Sequence, residues 1–414
     1  VRGLAVDGAG NVVVTGEFTG TVAFGDHSVT SVGNMDFFVA KIDAQGKWLW
    51  VRTGGGDKID RGYAVAADAA GNCYVTGHFE SATARFGDVE IATRGDYDLF
   101  VAKYSPEGKL EWLKSGGGPG YDYGHGIAAD KAGRLFVTGA VVGEGEFNGR
   151  PIGAVGPSHM FCLALFSDGN ELWRRTAMGA GASSGHGVAT DGKGNCYVGG
   201  YAAGGTELGG VLLSDSPGQD LLIAKFDVQG KLGWTYAGHG SSSAMAHEIA
   251  ADENGNVWAV GMFKGDLKLA DRTVASQGQH DLLVTRFDQG GRRLWTKTAG
   301  GVGIDYGLGI ATDGHGNCYM TGSFTGRVEF DGVVRESQGP ASDIQIVKYD
   351  GEGRQLWFLQ GGGPRTDHAY PIASDGRGAI YLSGACSGEA KFGPLSLPHQ
   401  GSNDIFVVKL DESK

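Results

Sequence analysis

The sequence contains no long apolar run and no excess of positive charge. No stretch of its 414 residues approaches the roughly 18 apolar residues that a membrane-spanning helix needs. The 47 Asp and Glu residues outnumber the 35 Lys and Arg residues, which leaves a formal net charge of −12. Nucleic acids and anionic membranes attract positively charged proteins, so we expect neither of them as the main partner.

Cysteine is scarce, with five residues in the chain. This odd, small number argues against a disulfide framework and leaves the cellular compartment open. Cys73, Cys196 and Cys318 occupy one position of a repeated segment, where other copies have Val12, Leu135, Val257 and Ile380. We therefore expect these cysteines to be small buried side chains rather than metal ligands.

Helical and catalytic patterns are also missing. No stretch carries a sustained helical period with capping residues. The sequence has no G-x-S-x-G motif at a strand-to-helix turn and no D-x-D-G calcium motif. We predict no catalytic residues and no cofactor, and we favour a protein without enzymatic activity.

One segment recurs seven times along the chain. At residues 125–139 it reads HGIAADKAGRLFVTG, and each copy has a marker Asp, a Gly-containing turn and an apolar run. The marker residues lie 61 or 62 positions apart, at Asp7, Asp68, Asp130, Asp191, Asp252, Asp313 and Asp375. A fixed period of this size indicates repeated supersecondary units.

Each copy predicts four strands, a to d, joined as two hairpins. Strand a is a short apolar run, and a D-x-x-G turn leads from it into strand b. Strand c begins with Asp in most copies, and strand d carries a Trp four residues after a turn Gly. These pairs are Gly46/Trp50, Gly108/Trp112, Gly169/Trp173, Gly230/Trp234, Gly291/Trp295 and Gly353/Trp357. We expect strand a to lie where space is tightest and the Trp to cover the gap to the next copy.

Four antiparallel strands, repeated with short connections, predict an all-β fold: a seven-bladed β-propeller of four-stranded antiparallel blades, with about 61 residues per blade. We predict one propeller domain over residues 1–414, with blades at approximately 1–60, 61–122, 123–183, 184–244, 245–305, 306–367 and 368–414. The last blade lacks its outer strand within this chain. That strand has three possible sources: residues before Val1, residues after Lys414, or a partner strand added by β-augmentation. We favour a longer native chain.

Two motifs run through essentially the whole sequence. They are G-[IV]-A-x-D-x-x-G-N-x-Y-V-T-G and D-x-F-V-A-K-[YF]-[DS]-x-x-G. On these residues the sequence resembles the bacterial seven-bladed β-propeller repeat family, called SBBP repeats, with a WD40-like architecture. The resemblance implies an exported, extracellular or cell-surface protein, often as one module of a longer polypeptide. It carries over no catalytic residue to any position of this chain.

Charged residues recur at three positions. A Lys or Arg late in strand c, at Lys41, Lys103, Lys225, Arg286, Lys348 and Lys409, is expected to pair with the marker Asp or to extend towards water. Asp60, Asp122, Asp305 and Asp367 precede strand a, and Asp36, Asp98, Asp220, Asp281, Asp343 and Asp404 begin strand c. These aspartates predict either an acidic rim for a cation or basic ligand, or side-chain capping of turns, which we favour.

A further small hairpin is predicted between strands b and c. It is built around a recurring apolar residue, at Phe24, Phe86, Phe147, Leu208, Leu269, Phe330 and Phe392. The tips of this hairpin vary most between copies. They are therefore candidates for contact with a partner.

One position near the start of strand a is rich in His and Tyr. It holds Arg2, Tyr63, His125, His186, His247, Leu308 and Tyr370, and His159 breaks the strand c pattern on the same face. In a propeller these side chains converge at the mouth of the central channel. The candidate ligand-binding residues are Tyr63, His125, His186, His247, Tyr370 and His159. A structural or channel-wall role, a small-molecule or glycan site and a metal site remain alternatives.

Taken together, these patterns favour a non-enzymatic binding or structural interaction module of an exported bacterial protein. A protein or glycan partner is expected on the loop face and channel mouth. The alternative is a glycan- or small-molecule-binding propeller, with possible hydrolytic activity, at the channel mouth. Strand addition at the open edge of the last copy, along Asp404, Val407 and Lys409, is a further possible partner contact.

Overall fold

The fold consists of strands joined by turns. The structure is a computed structural model that describes residues 1–216, 218–399, 401 and 403–412. The described residues form β-strands and no helix, so none of them forms a helix that could cross a membrane. Neighbouring strands pair almost entirely in the antiparallel direction, which confirms the predicted all-β class.

The chain divides into two compact units. Unit 1 comprises Val1–Ala189, Gly205–Leu212 and Asp227–Lys231, and unit 2 comprises Thr190–Gly204, Leu213–Phe226 and Leu232–Lys414. The strands up to residue 208 are β1 (Gly3–Val6), β2 (Val12–Phe18), β3 (Thr21–Phe24), β4 (His27–Thr30), β5 (Asp36–Ile42), β6 (Trp48–Gly55), β7 (Asp60–Ala67), β8 (Cys73–Phe79), β9 (Thr83–Phe86), β10 (Val89–Ala92), β11 (Asp98–Tyr104), β12 (Leu110–Gly117), β13 (Tyr123–Ala129), β14 (Leu135–Phe147), β15 (Arg150–Leu165), β16 (Glu171–Thr176), β17 (Met178–Gly179), β18 (Ser183–Thr190), β19 (Cys196–Ala203) and β20 (Thr206–Leu208).

The remaining strands are β21 (Val211–Ser214), β22 (Gln219–Phe226), β23 (Leu232–Gly240), β24 (Ser243–Ala251), β25 (Val257–Lys264), β26 (Asp266–Lys268), β27 (Thr273–Ala275), β28 (Asp281–Phe287), β29 (Arg293–Gly301), β30 (Tyr306–Thr312), β31 (Cys318–Thr325), β32 (Arg327–Phe330), β33 (Val333–Glu336), β34 (Ser342–Tyr349), β35 (Gln355–Gly362), β36 (Asp367–Ser374), β37 (Ala379–Cys386), β38 (Ala390–Phe392), β39 (Leu395–Leu397) and β40 (Asp404–Asp411). In the second copy, strands a to d are β7, β8, β11 and β12, paired in that order.

The marker Asp organises the turn between strands a and b. In the second copy, the backbone N–H groups of Ala70 and Asn72 donate to Asp68 Oδ1 at 3.0 and 2.9 Å, and Asn72 Nδ2 donates to Asp68 Oδ2 at 2.7 Å. Gly71 adopts a φ of 86°, in the left-handed region that favours glycine. Tyr74 Oη of strand b donates a fourth hydrogen bond to Asp68 Oδ2, at 3.0 Å. The three bonds from within the turn confirm the predicted turn role.

A glycine in the middle of strand b is required by close backbone approach. In unit 2, strand a (β24) has an irregular register between Ala246 and Glu248, which brings its backbone against β25. A Cβ at Gly261 would overlap the carbonyl oxygen of Met245. The equivalent overlap recurs at Gly77, Gly139, Gly322 and Gly384. This position therefore accepts no side chain in five of the seven copies.

The strand d Trp contacts the turn of the following copy. Trp50 Nε1 donates to the carbonyl oxygen of Pro106 at 2.8 Å, and a Cβ at Gly108 would lie 2.6 Å from Cδ2 of the same indole. The same hydrogen bond joins Trp112 to Ser167, Trp173 to Val228, Trp234 to Gln289 and Trp295 to Gly351. Trp357 differs because its Nε1 donates to the side chain of Glu412, at 3.2 Å. The turn Gly and the Trp of the motif thus serve one contact between successive copies.

The predicted extra hairpins exist, and they also connect copies. In unit 1, the hairpin β9–β10 pairs through Phe86 with Gly54 at the end of β6, the strand d of the preceding copy. In unit 2, β29 pairs with β32 and β35 with β38 in the same manner. The recurring apolar residue of each hairpin, from Phe24 to Phe392, is buried. The third copy is more continuous, since β14 and β15 extend through the hairpin.

Buried side chains bear out two further expectations. All five cysteines are buried thiols. Lys41 Nζ lies 2.8 Å from Asp7 Oδ2, with both side chains at most 3% exposed. Burial alone would raise the pKa of Asp7, but hydrogen bonds from Lys41 and Asn11 hold it below its ordinary value. Lys–Asp pairing is confirmed here and, at 3.8 Å, for Lys348 with Asp313. Elsewhere the cation lies over the aromatic residue of strand b: Lys103 over Tyr74, Lys225 over Tyr197, Arg286 over Trp258 and Lys409 over Tyr381.

The last copy forms a sheet of three strands, β36, β37 and β40, within the described residues. Its strand c, β40, pairs with β37 along its whole length. Strand addition at Asp404, Val407 and Lys409 stays a prediction, and so do the single domain, the number of blades and their boundaries. Lys414 lies outside the described residues.

Candidate functional site

Three of the predicted site residues meet in unit 1. Tyr63, His125 and His186 come from β7, β13 and β18, the a strands of consecutive copies. The ring centroids of Tyr63 and His125 lie 4.8 Å apart, and those of His125 and His186 lie 4.6 Å apart with an interplanar angle of 13°. The a strands can approach this closely because the next position is small: a Cβ at Gly126 would lie 2.5 Å from the His186 carbonyl oxygen. The repeat position identified from the sequence thus forms a continuous stack of side chains.

Four further rings extend this stack, and the sequence analysis missed them. His78 stacks on Tyr97 with centroids 4.8 Å apart, and it meets Tyr123 edge-to-face at 5.3 Å. Tyr121 meets Tyr97 edge-to-face at 5.0 Å. The aromatic cluster, as we name it, consists of Tyr63, His78, Tyr97, Tyr121, Tyr123, His125 and His186.

The extra rings carry a signal that the sequence does contain. At the position of His78 the other copies have Glu17, Ala140, Tyr201, Met262, Ser323 and Ala385. A histidine there departs from every other copy. Tyr97 and Tyr121 likewise stand beside the recurring Asp98 and Asp122, where no other copy has a Tyr. Comparison of the copies at variable positions, rather than at recurring ones, would have found them.

The aromatic cluster has a closed floor and an open side. His78 is 1% exposed, whereas Tyr121 is 48% exposed. Tyr63, Tyr97 and His125 are half-buried. Ring faces and edges are therefore available to a ligand on the side of Tyr121, above a packed base.

Positive charge surrounds the floor of the cluster. The Arg2 guanidinium lies 5.4 Å from the Tyr63 ring centroid and forms a 2.7 Å ion pair with Glu17. Arg61 stands opposite His78 in the pairing of β7 with β8, so both side chains project from the same face. Burial, followed by the charges of Arg61, His125 and Arg2, lowers the pKa of His78 to about 3. Burial, together with the neighbouring tyrosines, raises the pKa of Tyr123 to about 12. Both groups are therefore uncharged at neutral pH.

This burial of His78 makes stability depend on pH. The pKa of His78 in the folded protein, about 3, lies below the ordinary value of 6.5. Between these two pH values, His78 is therefore protonated in the unfolded chain and neutral in the folded one. The stability is fully present above pH 6.5 and falls as the pH drops towards 3. We expect the free energy of unfolding of the unsubstituted protein to lose about 2 kcal/mol more than that of His78→Phe between pH 6.5 and 5. Urea denaturation of both proteins at these two pH values measures this difference, and parallel losses would contradict it.

The three remaining predicted site residues are His159, His247 and Tyr370. His159 is fully buried in unit 1, with Nε2 3.2 Å from the carbonyl oxygen of Gly179. His247 and Tyr370 belong to unit 2. Burial lowers the pKa of His247 to about 4. The ring of Tyr370 packs against His368 at 5.9 Å.

Glu248 is a second departure from the repeat that the sequence analysis overlooked. The equivalent position is small or cyclic in all other copies: Gly3, Ala64, Gly126, Gly187, Gly309 and Pro371. Glu248 Oε1 accepts a 3.0 Å hydrogen bond from the Ile249 N–H. Burial raises the pKa of Glu248 to about 7. It is a carboxyl group that titrates near neutrality beside His247.

The recurring aspartates cap turns. Asp122 is fully buried, and it accepts hydrogen bonds from the N–H groups of Gly118 at 2.6 Å and Val142 at 2.8 Å. Burial and the nearby Asp98 raise its pKa to about 6. The equivalent bonds form at Asp60, Asp305 and Asp367. The favoured interpretation, turn capping, is confirmed. Among the described residues, no three His, Cys, Asp or Glu side chains are arranged to hold a metal ion.

Known proteins share parts of this sequence. Residues 112–140 match the β-propeller repeat family SBBP. The regulatory protein FlaEY of Caulobacter vibrioides is 26% identical over 134 residues, which cover 32% of this chain and 14% of that protein. The uncharacterized WD repeat-containing protein L264 of Acanthamoeba polyphaga mimivirus is 21% identical over an alignment covering 87% of this chain and 32% of that protein.

One solved structure that this chain matches is the Neurospora crassa Pan2 WD40 domain. It has 9% sequence identity and a TM-score of 0.43, covering 80% of this chain and 74% of that domain. The resemblance that the repeated motifs suggested is confirmed by the family match. The match spans the strand d Trp of the second copy to strand b of the third, residues 112–140, and corresponds to one β-propeller repeat of the SBBP family.

Proposed function

We propose that this chain is a non-enzymatic interaction module of an exported or cell-surface bacterial protein, and that its partner contacts the aromatic cluster. The β-propeller repeat and the similarity to a WD repeat-containing protein support an interaction role. The carrying observation is the stack of seven rings with one open side at Tyr121. Tyr and Arg are the residue types most enriched among those that dominate binding energy.

A second candidate function is glycan or small-molecule binding at the same cluster. Tyr and His combine flat apolar faces with polar edges, which suits a ligand that stacks and forms hydrogen bonds. Tyr63, Tyr97 and His125 are only half-buried, so part of each ring is open to a ligand. Both candidate functions require the same rings of the aromatic cluster for binding.

The double substitution Tyr97→Ala/Tyr121→Ala tests the proposed site. Because it removes the exposed ring face and its edge-to-face support, we expect at least a tenfold loss of binding to any ligand that the unsubstituted protein recognises. Binding is measured on peptide and glycan arrays, followed by titration of the best ligand. The matched control is Val155→Ala, which removes a side chain that is 80% exposed in the same unit but outside the cluster.

Three results would contradict the proposal. Binding retained by Tyr97→Ala/Tyr121→Ala would place the contact elsewhere. Substrate turnover that is abolished by His125→Ala or His186→Ala would show that the protein is an enzyme. Detection of the native protein only in the cytoplasmic fraction of the cells that produce it would contradict the proposed export. Array signals confined to peptides would favour the first candidate, and signals confined to glycans would favour the second.

A further inference from the structure

Two buried polar groups at the floor of the aromatic cluster have no partner in the described part of the chain. Nε of Arg61 is enclosed and forms no hydrogen bond, and neither ring nitrogen of His78 forms one. Buried polar atoms in native proteins nearly always have a partner, and an exception points to an unseen water, ion or ligand. These two side chains stand opposite each other on β7 and β8. The unpaired nitrogens of Arg61 and His78 therefore lie together at the floor of the aromatic cluster.

Arg61 also lacks a counter-charge. Glu17, which occupies the His78 position of the preceding copy, pairs with Arg2 at 2.7 Å, and Glu80 lies 3.9 Å from Lys58 Nζ. Among the described residues, no carboxylate lies within ion-pair distance of Arg61. A half-buried guanidinium without a carboxylate is costly unless another anion reaches it. The planar guanidinium is suited to bind a carboxylate through two hydrogen bonds.

The remaining groups of the cluster complement a sugar ring. His78, which stays neutral, offers one donor and one acceptor. Because the ring is 1% exposed, a water held between it and a sugar hydroxyl group would satisfy these atoms. Tyr97 and Tyr121 offer ring faces on which the C–H face of a pyranose packs. A carboxylate, hydroxyl groups and a flat apolar face occur together in acidic sugars.

We propose that the aromatic cluster binds an acidic pyranose, of the uronic acid class, with its carboxylate on the Arg61 guanidinium and its ring on Tyr97 and Tyr121. This inference rests on the second candidate function, glycan binding at the same cluster. An acidic peptide also brings a carboxylate, but it lacks the ring of hydroxyl groups that matches His78. Acidic glycans are therefore favoured over acidic peptides.

The experiment compares two sugars that differ only at C6. Methyl β-D-glucuronide carries a carboxylate and methyl β-D-glucoside carries a hydroxymethyl group, and ligand-observed NMR measures the affinity of each. We expect the glucuronide to bind about tenfold more tightly or better, because a hydrogen bond to a charged group stabilises more than a neutral one. In Arg61→Gln this preference should disappear, and in Arg61→Lys part of it should remain. The control Arg85→Gln removes an exposed arginine of the same unit that pairs with Glu90 and should change nothing.

Each outcome separates this inference from the proposed function. Equal affinity for the two sugars, abolished by Tyr97→Ala/Tyr121→Ala, would overturn the carboxylate contact while glycan binding stands. Binding of N-acetyl-Glu-Tyr-amide without binding of either sugar would overturn the acidic-sugar inference and leave the interaction module intact. Binding of none of these probes at tens of millimolar would also overturn the inference. Circular dichroism of Arg61→Gln, together with the folded Arg61→Lys variant, distinguishes a lost contact from a lost fold.

Discussion

Replacing Trp50 with Ala is expected to lower the free energy of unfolding by about 3–5 kcal/mol. The indole is 5% exposed, its Nε1 donates to the carbonyl oxygen of Pro106, and Gly108 lies flat against its face. The substitution leaves a cavity, and the Pro106 carbonyl oxygen in the turn of the next copy loses its hydrogen-bond donor. Trp50→Phe keeps most of the packing and loses the hydrogen bond, so a cost nearer 1 kcal/mol is expected for it.

Urea or thermal unfolding of the purified chain measures both costs. Leu49→Ala is the control, because Leu49 is adjacent in strand d but 42% exposed, and we expect it to change stability by less than about 1 kcal/mol. If Trp50→Ala were no more destabilising than Leu49→Ala, the contact between successive copies would contribute little. An equal cost for Trp50→Phe and Trp50→Ala would instead assign the effect to the hydrogen bond.

Replacing Gly261 with Ala is expected to cost about 3 kcal/mol or more, although it adds only one methyl group. The new Cβ overlaps the carbonyl oxygen of Met245, and a backbone atom in a paired strand cannot move aside as a flexible side chain can. Strands β24 and β25 must separate at the irregular register near Ala246 to admit it. The loss should appear in soluble yield as well as in the unfolding midpoint.

The matched control for this prediction is Gly233→Ala in the same unit. A Cβ at Gly233 would meet atoms of Lys225 only at ordinary contact distances, from 3.5 Å. We expect this variant to be neutral or slightly stabilised, because Ala reduces the freedom of the unfolded chain. Comparable losses in the two variants would mean that the close approach at Gly261 does not constrain the fold.

The strands and their contacts were predictable where the signal is local and repeated. The turn at Asp68 recurs in seven copies and the spacing of Gly108 and Trp112 in six, so the repetition averages out the variation of any single copy. The partner of Trp50 was not predictable, because it lies in the next copy. What the motif does show is that Gly and Trp recur together at a fixed spacing.

The candidate site was predictable only in part. Tyr63, His125 and His186 share one repeat position, and the structure brings them together. His78 and Tyr121 join them through strand pairing and ring packing that no single segment encodes. His159 departs from the repeat as a ligand-binding residue would, yet it is fully buried, with Nε2 beside the carbonyl oxygen of Gly179. A residue that departs from the repeat therefore has different surroundings from its counterparts, but the sequence does not reveal whether its side chain is buried or exposed.

We expect the indole-to-turn hydrogen bond to couple amide hydrogen exchange in neighbouring copies within a unit. When one copy unfolds locally, it loses the hydrogen bond from the Trp of the preceding copy and its own Trp leaves the turn of the following copy. Local unfolding therefore extends along the unit and is not confined to about sixty residues. Deuterium uptake in strands β6 and β11 should consequently rise in step, and Trp50→Ala should uncouple the two.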